Sequence, residues 1–350
     1  MKKIKKQKRE NKIGLTVIEG TKQKNYQEEL LDPKAAGGTE ILARRVFKEF
    51  PDLVKKFNWV LSYEKVNPDP DKPTLLWMHE TPFDQGIQQQ FQKPDYWKQY
   101  TKIIFVSYWQ QQMFHILYGV PYENSIVIQN SIDPILVSEK PKIDKNNPIK
   151  LIYASSPNRG LDILLNVVES EEFKDIDFEL SVYSSFKLYN RKNNDLQYEN
   201  LFDRCKNHEK IKYYGTRPND EIKEAMANSH ILTYPNSYAE TSCITAMEAM
   251  SGGCLIICPK YGALPETTSE FSWSYNFESD KNRHETIFKY VLLEAIQNYN
   301  QNNVKQMLKL QKVFCDTFYN WNTKLPIWEQ MMNALYSQYN EEPSNSPQAV

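Results

Sequence analysis

The 350-residue chain lacks any apolar run near the ~20 residues that a membrane-spanning helix needs. No apolar core follows its basic start, as one would in a secretory leader. Cysteine is scarce: Cys205, Cys243, Cys254, Cys258 and Cys315 are the whole set, none grouped with histidine at ligand spacing. That argues against a disulfide framework or a zinc site, and makes reduced, buried thiols in a cytoplasmic protein the expectation. Charge of one sign is missing too, since 43 basic side chains face 44 acidic ones. No global field therefore draws the chain to nucleic acid or an anionic membrane. The opening MKKIKKQKRE is a local exception, read as a solvated tail, with a steering arm at a membrane surface left open. Walker loops, GxSxG elbows and internal repeats are absent.

What is present is a steady alternation of short apolar runs and helical patterns. Forty per cent of the residues are hydrophobic, enough for two cores in a chain of this length. Strand patterns occur at 12–19, 58–63, 74–80, 102–108 and 124–130, then at 149–155, 178–184, 210–215, 231–235 and 254–258. Between them, residues 39–50 place Ile41, Leu42, Val46, Phe47 and Phe50 at helical spacing. Such alternation predicts an α/β chain with parallel sheets. The Pro-, Lys- and Asn-rich stretch 133–148 marks a linker, so two doubly wound halves would face each other across a cleft at their strand C-termini. The division is a basic tail (1–12), a first Rossmann-like domain (13–140), a second (141–321), an amphipathic helix (322–340) and a flexible tail (341–350).

The most informative stretch is TYPNSYAETSCITAMEAMSGGCLIICP, residues 233–259. ILTYP reads as a strand and NSYAE as a loop. Thr241 or Ser242 reads as the cap of a helix that stops at Gly252-Gly253. A helix N-terminus dressed with hydroxyls and backbone N–H groups is a place to hold an anion. Glu240 precedes that helix on the other side of the anion, and Glu248 lies roughly 9 Å along it at ~1.5 Å rise per residue. Carboxylates accept hydrogen bonds from hydroxyls and repel phosphate. Flanking an anion site, they suit a ligand built as a sugar, a diphosphate and a ribose.

This glutamate pair in its setting of strand, proline, ExxxxxxxE, small residues, Gly-Gly and strand resembles the family 4 retaining glycosyltransferases, which have the GT-B architecture. The resemblance covers about residues 13–340 and implies two Rossmann-like domains, with the final helix crossing back to the first. ASSPNRGLDILL (154–165) is similar to the family's diphosphate-binding turn. The family's usual arginine is absent, Ala154 or Ser155 standing near its place, and Arg159 takes that of its lysine as a forked phosphate donor. Gly37 and Gly38, opening a helix with Thr39 as candidate cap, resemble the loop that approaches donor phosphate and acceptor. His79, ending the strand in WMHETP, takes by resemblance the role of a histidine touching the transferred sugar, with Glu80 as the alternative contact. Ser107 and Asn130 fall in segments that border the cleft, and Gly215, Thr216 and Arg217 resemble the turn beside the nucleobase. Asp69-Pro-Asp71 fits the Asp-x-Asp of metal-dependent glycosyltransferases, but those have another architecture, and no metal ligand is assigned.

The implied activity moves a sugar from a nucleotide-diphosphate sugar, UDP- or GDP-linked, to a hydroxyl-bearing glycan, lipid, protein or small molecule, with no metal or cofactor. Arg159 and the N–H groups around Thr241, Ser242 and Cys243 would stabilise the leaving diphosphate. Glu240 and His79 would orient the donor sugar, and Glu248 would hold the ribose. Retention is likewise implied by the resemblance. A sugar-nucleotide epimerase or a phosphorylase on the same fold is the alternative, although neither an extra acid/base pair nor a cofactor lysine is evident. A non-catalytic sugar- or nucleic-acid-binding module is the other, against which the near-zero net charge argues. Transfer onto modified DNA bases stays open, because acceptor loops vary freely on one fold.

Overall fold

A computed structural model describes residues 37–62, 68–140, 143–144, 146–189 and 192–341. The strand expected at 12–19, the basic tail and the loop through residue 36 lie outside the described residues, as does the chain from 342 onward. Four parallel strands form the first sheet in the order β1 (Asn58–Leu61), β2 (Thr74–Met78), β3 (Lys102–Phe105) and β4 (Ser125–Val127). The central runs LLWM and IIF are buried because helices cover both faces of a parallel sheet.

The second sheet has six parallel strands: β5 (Ile149–Ala154), β6 (Phe178–Tyr183), β7 (Ile211–Tyr213), β8 (Ile231–Thr233), β9 (Leu255–Lys260) and β10 (Trp273–Asn276). Their spatial order is β10-β9-β8-β5-β6-β7. The winding therefore reverses between β5 and β8, and a doubly wound sheet opens a ligand crevice at the carboxyl ends of such a pair. The expected strands run one to three residues past the observed ends, because the segments turn into loops or helices there; β9 alone continues two residues beyond expectation, to Lys260. Ser107, for example, leaves the strand to cap the helix Tyr108–Tyr118, its Oγ accepting the Gln110 N–H at 3.1 Å.

One core gathers under the second sheet, and two lie against the faces of the first. The larger of those two includes Trp321, Trp328, Met331, Met332 and Leu335 of the terminal helix Trp321–Glu341, packed with Phe47, Trp59 and Trp77. Trp328 and Trp77 have ring centroids 4.4 Å apart. The two chain crossings meet side by side: the Ile132 N–H donates to the Tyr319 carbonyl at 2.8 Å, and the Trp321 N–H returns to the Ile132 carbonyl.

Candidate active site

The crevice between β5 and β8 is where the charged groups converge. Beyond β5 the chain makes a tight turn, Pro157–Arg159, then Gly160, before the helix Leu161–Val168. Gly160 has φ +96°, and a Cβ there would sit 2.0 Å from the Pro235 carbonyl oxygen. Glycine is what lets the turn after β5 touch the loop after β8. Across that contact Arg159 forms an ion pair with Glu240, its guanidinium lying over the Tyr238 ring 4.5 Å from the centroid. The Tyr234 hydroxyl donates to the same Glu240 oxygen at 2.5 Å and lies 3.4 Å from Ser155 Oγ. Burial and the Glu240 charge both push the Tyr234 phenol well above its ordinary range, so it stays a donor. The resemblance gives Arg159 to the diphosphate and Glu240 to the sugar; in the structure the two side chains are in direct contact. Glu240 is buried, whereas the Arg159 side chain keeps 22% exposure. Part of the guanidinium is thus reachable from solvent, where an anion would meet a charge-assisted donor.

The following helix spans Ile244–Ser251 with Cys243 at its N-cap and no side-chain cap. Neither Thr241 nor Ser242 caps it, contrary to expectation. Thr241 Oγ1 instead donates to the carbonyl of His79 in the other domain at 2.8 Å, and the Ser242 carbonyl accepts the Asn130 side-chain amide at 3.2 Å. Burial raises the Cys243 thiol, which is therefore neutral. Gly38 reaches the same place from the first domain: a Cβ on it would lie 3.0 Å from Ile244 Cδ1. Its helix, Gly38–Glu49, has Gly37 at the N-cap and no side-chain cap, so Thr39 does not fill that role either.

His79 follows β2, its ring against Trp77 at 4.9 Å between centroids. Burial lowers its pKa to about 3, so the imidazole is neutral and too weak a base to carry protons near pH 7. Its Nε2 is buried and meets no hydrogen-bond partner among the described residues. A ligand hydroxyl would satisfy that atom.

Glu248 belongs to a second group. It is the fifth residue of its helix, only 6% exposed, and accepts the Asn219 side-chain amide at 2.7 Å. Burial raises its pKa to about 7, opposed by Lys223 and by the Asn219 bond. Asn219 opens the helix Asn219–Asn228, immediately after the turn carrying Gly215 (φ +66°), Thr216 and Arg217. Arg217 is exposed, 3.8 Å from Glu221. Beside this turn the Tyr183 and Tyr214 rings stack in parallel, 4.7 Å apart.

Asp69 and Asp71 sit at the opposite edge of the first sheet. The Asp69 N–H and carbonyl both bond the side chain of Asn58, which begins β1, so they lie at strand N-termini away from the crevice. Among the described residues no group of three His, Cys, Asp or Glu side chains could hold a metal. Tyr234, Tyr238, Asn219 and Glu266 went unnoticed in the sequence. The two tyrosines stood inside the singled-out stretch, while the partners of Asn219 and Glu266 are remote in the chain.

Two parallel sheets flanked by helices, the second winding both ways from β5, make the GT-B fold. Residues 137–307, the bulk of the second domain, match the family model of the glycosyl transferases group 1. A human relative, one of the subunits of phosphatidylinositol N-acetylglucosaminyltransferase, is 21% identical over 172 residues, 48% of this chain and 34% of that protein. The chain thus matches about a third of that relative's length. Among solved structures, a glycosyltransferase from Rickettsia africae superposes with TM-score 0.58 at 13% identity, covering 93% of this chain and 84% of that one. A sucrose-phosphate synthase from Thermosynechococcus elongatus gives 0.59 at 14% identity over 86% and 79%. Anabaena HepE, solved with UDP and glucose, gives 0.56 at 14% identity over 75% and 72%.

Proposed function

We propose that the protein is a retaining, metal-independent glycosyltransferase that moves a sugar from a nucleotide-diphosphate sugar to a hydroxyl acceptor. The observation that carries this reading is the Arg159–Glu240–Tyr234 cluster at the winding reversal of the second sheet, tied to His79 across the cleft through Thr241. In this reading the diphosphate meets the solvent-reachable part of Arg159, with Ser155 and the first N–H groups of the helix at Cys243. Gly37 and Gly38 let the other domain approach it. Glu240, released in part from Arg159, turns to the sugar hydroxyls, and His79 Nε2 bonds one of them. Glu248 holds the ribose, and Gly215, Thr216 and Arg217 border the base.

The bond from the anomeric carbon to the phosphate oxygen breaks as the acceptor oxygen adds on the same face, and the acceptor proton passes to the leaving phosphate. Preorganised donors at the developing charge are the main source of rate in such a design. UDP, named with the HepE structure, heads the donor panel, with GDP beside it. The human relative's name brings a lipid-borne hydroxyl into the acceptor panel. No described helix is long and apolar enough to cross a membrane. The reading puts the enzyme in the cytoplasm, with attachment at a membrane surface as its variant.

Calorimetric titration with UDP, GDP, UDP-glucose and UDP-N-acetylglucosamine, followed by NMR of the anomeric coupling in the product, tests the proposal. Binding lost in Glu248→Ala, and a product of retained configuration, are expected. Nucleotide-sugar affinity indifferent to Arg159, Glu240 and Glu248 would defeat it.

A further inference from the structure

Glu266 takes no part in the machinery above, yet through this carboxylate the second domain grips the first. It lies in the short helix Leu264–Thr268, whose position is set by the site itself. Gly262 has φ +62°, and a Cβ there would lie 2.4 Å from the Glu240 carbonyl oxygen, so the chain can turn this tightly beneath Glu240 only as glycine. The Ala263 N–H then donates to that carbonyl at 2.7 Å. A little further on, the Glu266 side chain reaches out of its own domain. Its Oε1 accepts the Tyr108 N–H at 3.0 Å and the Gln129 amide at 2.9 Å, and its Oε2 accepts the Trp109 N–H at 2.9 Å.

Tyr108 and Trp109 open the helix Tyr108–Tyr118, where N–H groups lack intrahelical acceptors and the dipole end is positive. Two successive N–H groups on two oxygens require a carboxylate, because an amide would aim its own N–H at one of them. Lys324 of the crossing helix, 3.3 Å from Gln129 Oε1, closes the network.

We propose that Glu266 is a positioning residue that latches the cleft, an inference that rests on the glycosyltransferase reading. It holds the His79 side of the cleft against the Arg159–Glu240 side in the arrangement that transfer needs. Because the turn at Gly262 and Ala263 fastens the latch to the Glu240 backbone, a sugar drawn in by Glu240 and closure of the domains are one movement. The latch therefore acts on turnover and leaves nucleotide affinity, set within the second domain, unchanged.

The test uses Glu266→Gln, Glu266→Asp and Tyr108→Pro in the full chain. Proline at a first helical position is well tolerated and deletes one N–H without touching the carboxylate. Spin labels on Gln92→Cys and Asn303→Cys read the interdomain distance, since all five native thiols are buried. We expect Glu266→Gln and Tyr108→Pro to lengthen and broaden that distance. Affinity for UDP or GDP, whichever binds, should stay within about twofold, while kcat falls about tenfold or more. Glu266→Asp should recover part of the loss. A native distance distribution in Glu266→Gln, a native kcat, or a loss lying wholly in nucleotide affinity overturns the latch. A native protein that neither binds nor turns over any nucleotide sugar removes the functional reading instead, and the distance measurement still decides the latch.

Discussion

Glu248 offers a test that needs no substrate. The carboxyl is held at about 7, against an ordinary 4.5, mainly because it is buried. At 1.36 kcal/mol for each pH unit, its ionised form is about 3 kcal/mol dearer folded than unfolded. Below pH 4.5 the group is protonated in both states, and this term vanishes. Between 4.5 and about 7 the folded state keeps a proton that the unfolded state has released, so stability falls as pH rises. Above that window the full penalty applies. Glu248→Gln keeps the shape and an oxygen for the Asn219 bond, but cannot ionise. It should stabilise the protein by about 2–3 kcal/mol at pH 8 and by less than about 1 kcal/mol at pH 5. With a melting shift of roughly 2–4 °C per kcal/mol for a domain of this size, calorimetry should find the variant about 5–10 °C higher at pH 8. Equal gains at both pH values, or a loss at pH 8, would refute the reasoning. The same change should abolish nucleotide affinity if the carboxylate serves a ribose, the usual exchange of stability for function.

Other outcomes follow from the same geometry. Arg159→Ala strips the cation from a buried Glu240 and should lower kcat by about 10²–10³, as loss of one preorganised donor does; steady-state rates with the best donor check it. Gly160→Ala puts a Cβ 2.0 Å from the Pro235 carbonyl at φ +96° and should cost at least about 1–3 kcal/mol, read by urea unfolding. Trp328→Ala opens a cavity beside Trp59 and Trp77 and should cost about 3–5 kcal/mol, with calorimetry as the measurement.

The strands of both sheets were legible where apolar residues run unbroken, as in TLLWM and LIIC, because burial on two faces leaves no polar positions to confuse the period. The edge strand WSYN escaped notice, since only Tyr275 of its residues is buried. At the site, residue types were readable and their partners were not. Thr241 sits where a cap belongs, yet its hydroxyl goes to a carbonyl 162 positions away. Arg159 and Glu240 are 81 positions apart, and their direct pairing appears only once Gly160 lets two loops touch. Glu266 follows a proline at a helix start and reads as an ordinary dipole partner of its own helix. Its real acceptor role is toward a helix 158 positions earlier. Local chemistry is written in short windows, whereas contacts between domains are not.

The terminal helix makes the first domain's core depend on the last part of the chain to be synthesised. Trp59 and Trp77 belong to an early sheet, but the tryptophan and methionine side chains that cover them come from positions 321–335. During synthesis the first-made domain therefore lacks part of the cover over its aromatic cluster until the helix Trp321–Glu341 has been made. The second, whose core draws nearly all its residues from one continuous stretch, can finish first. A nascent chain stalled before residue 321 would therefore expose apolar surface that the complete chain buries.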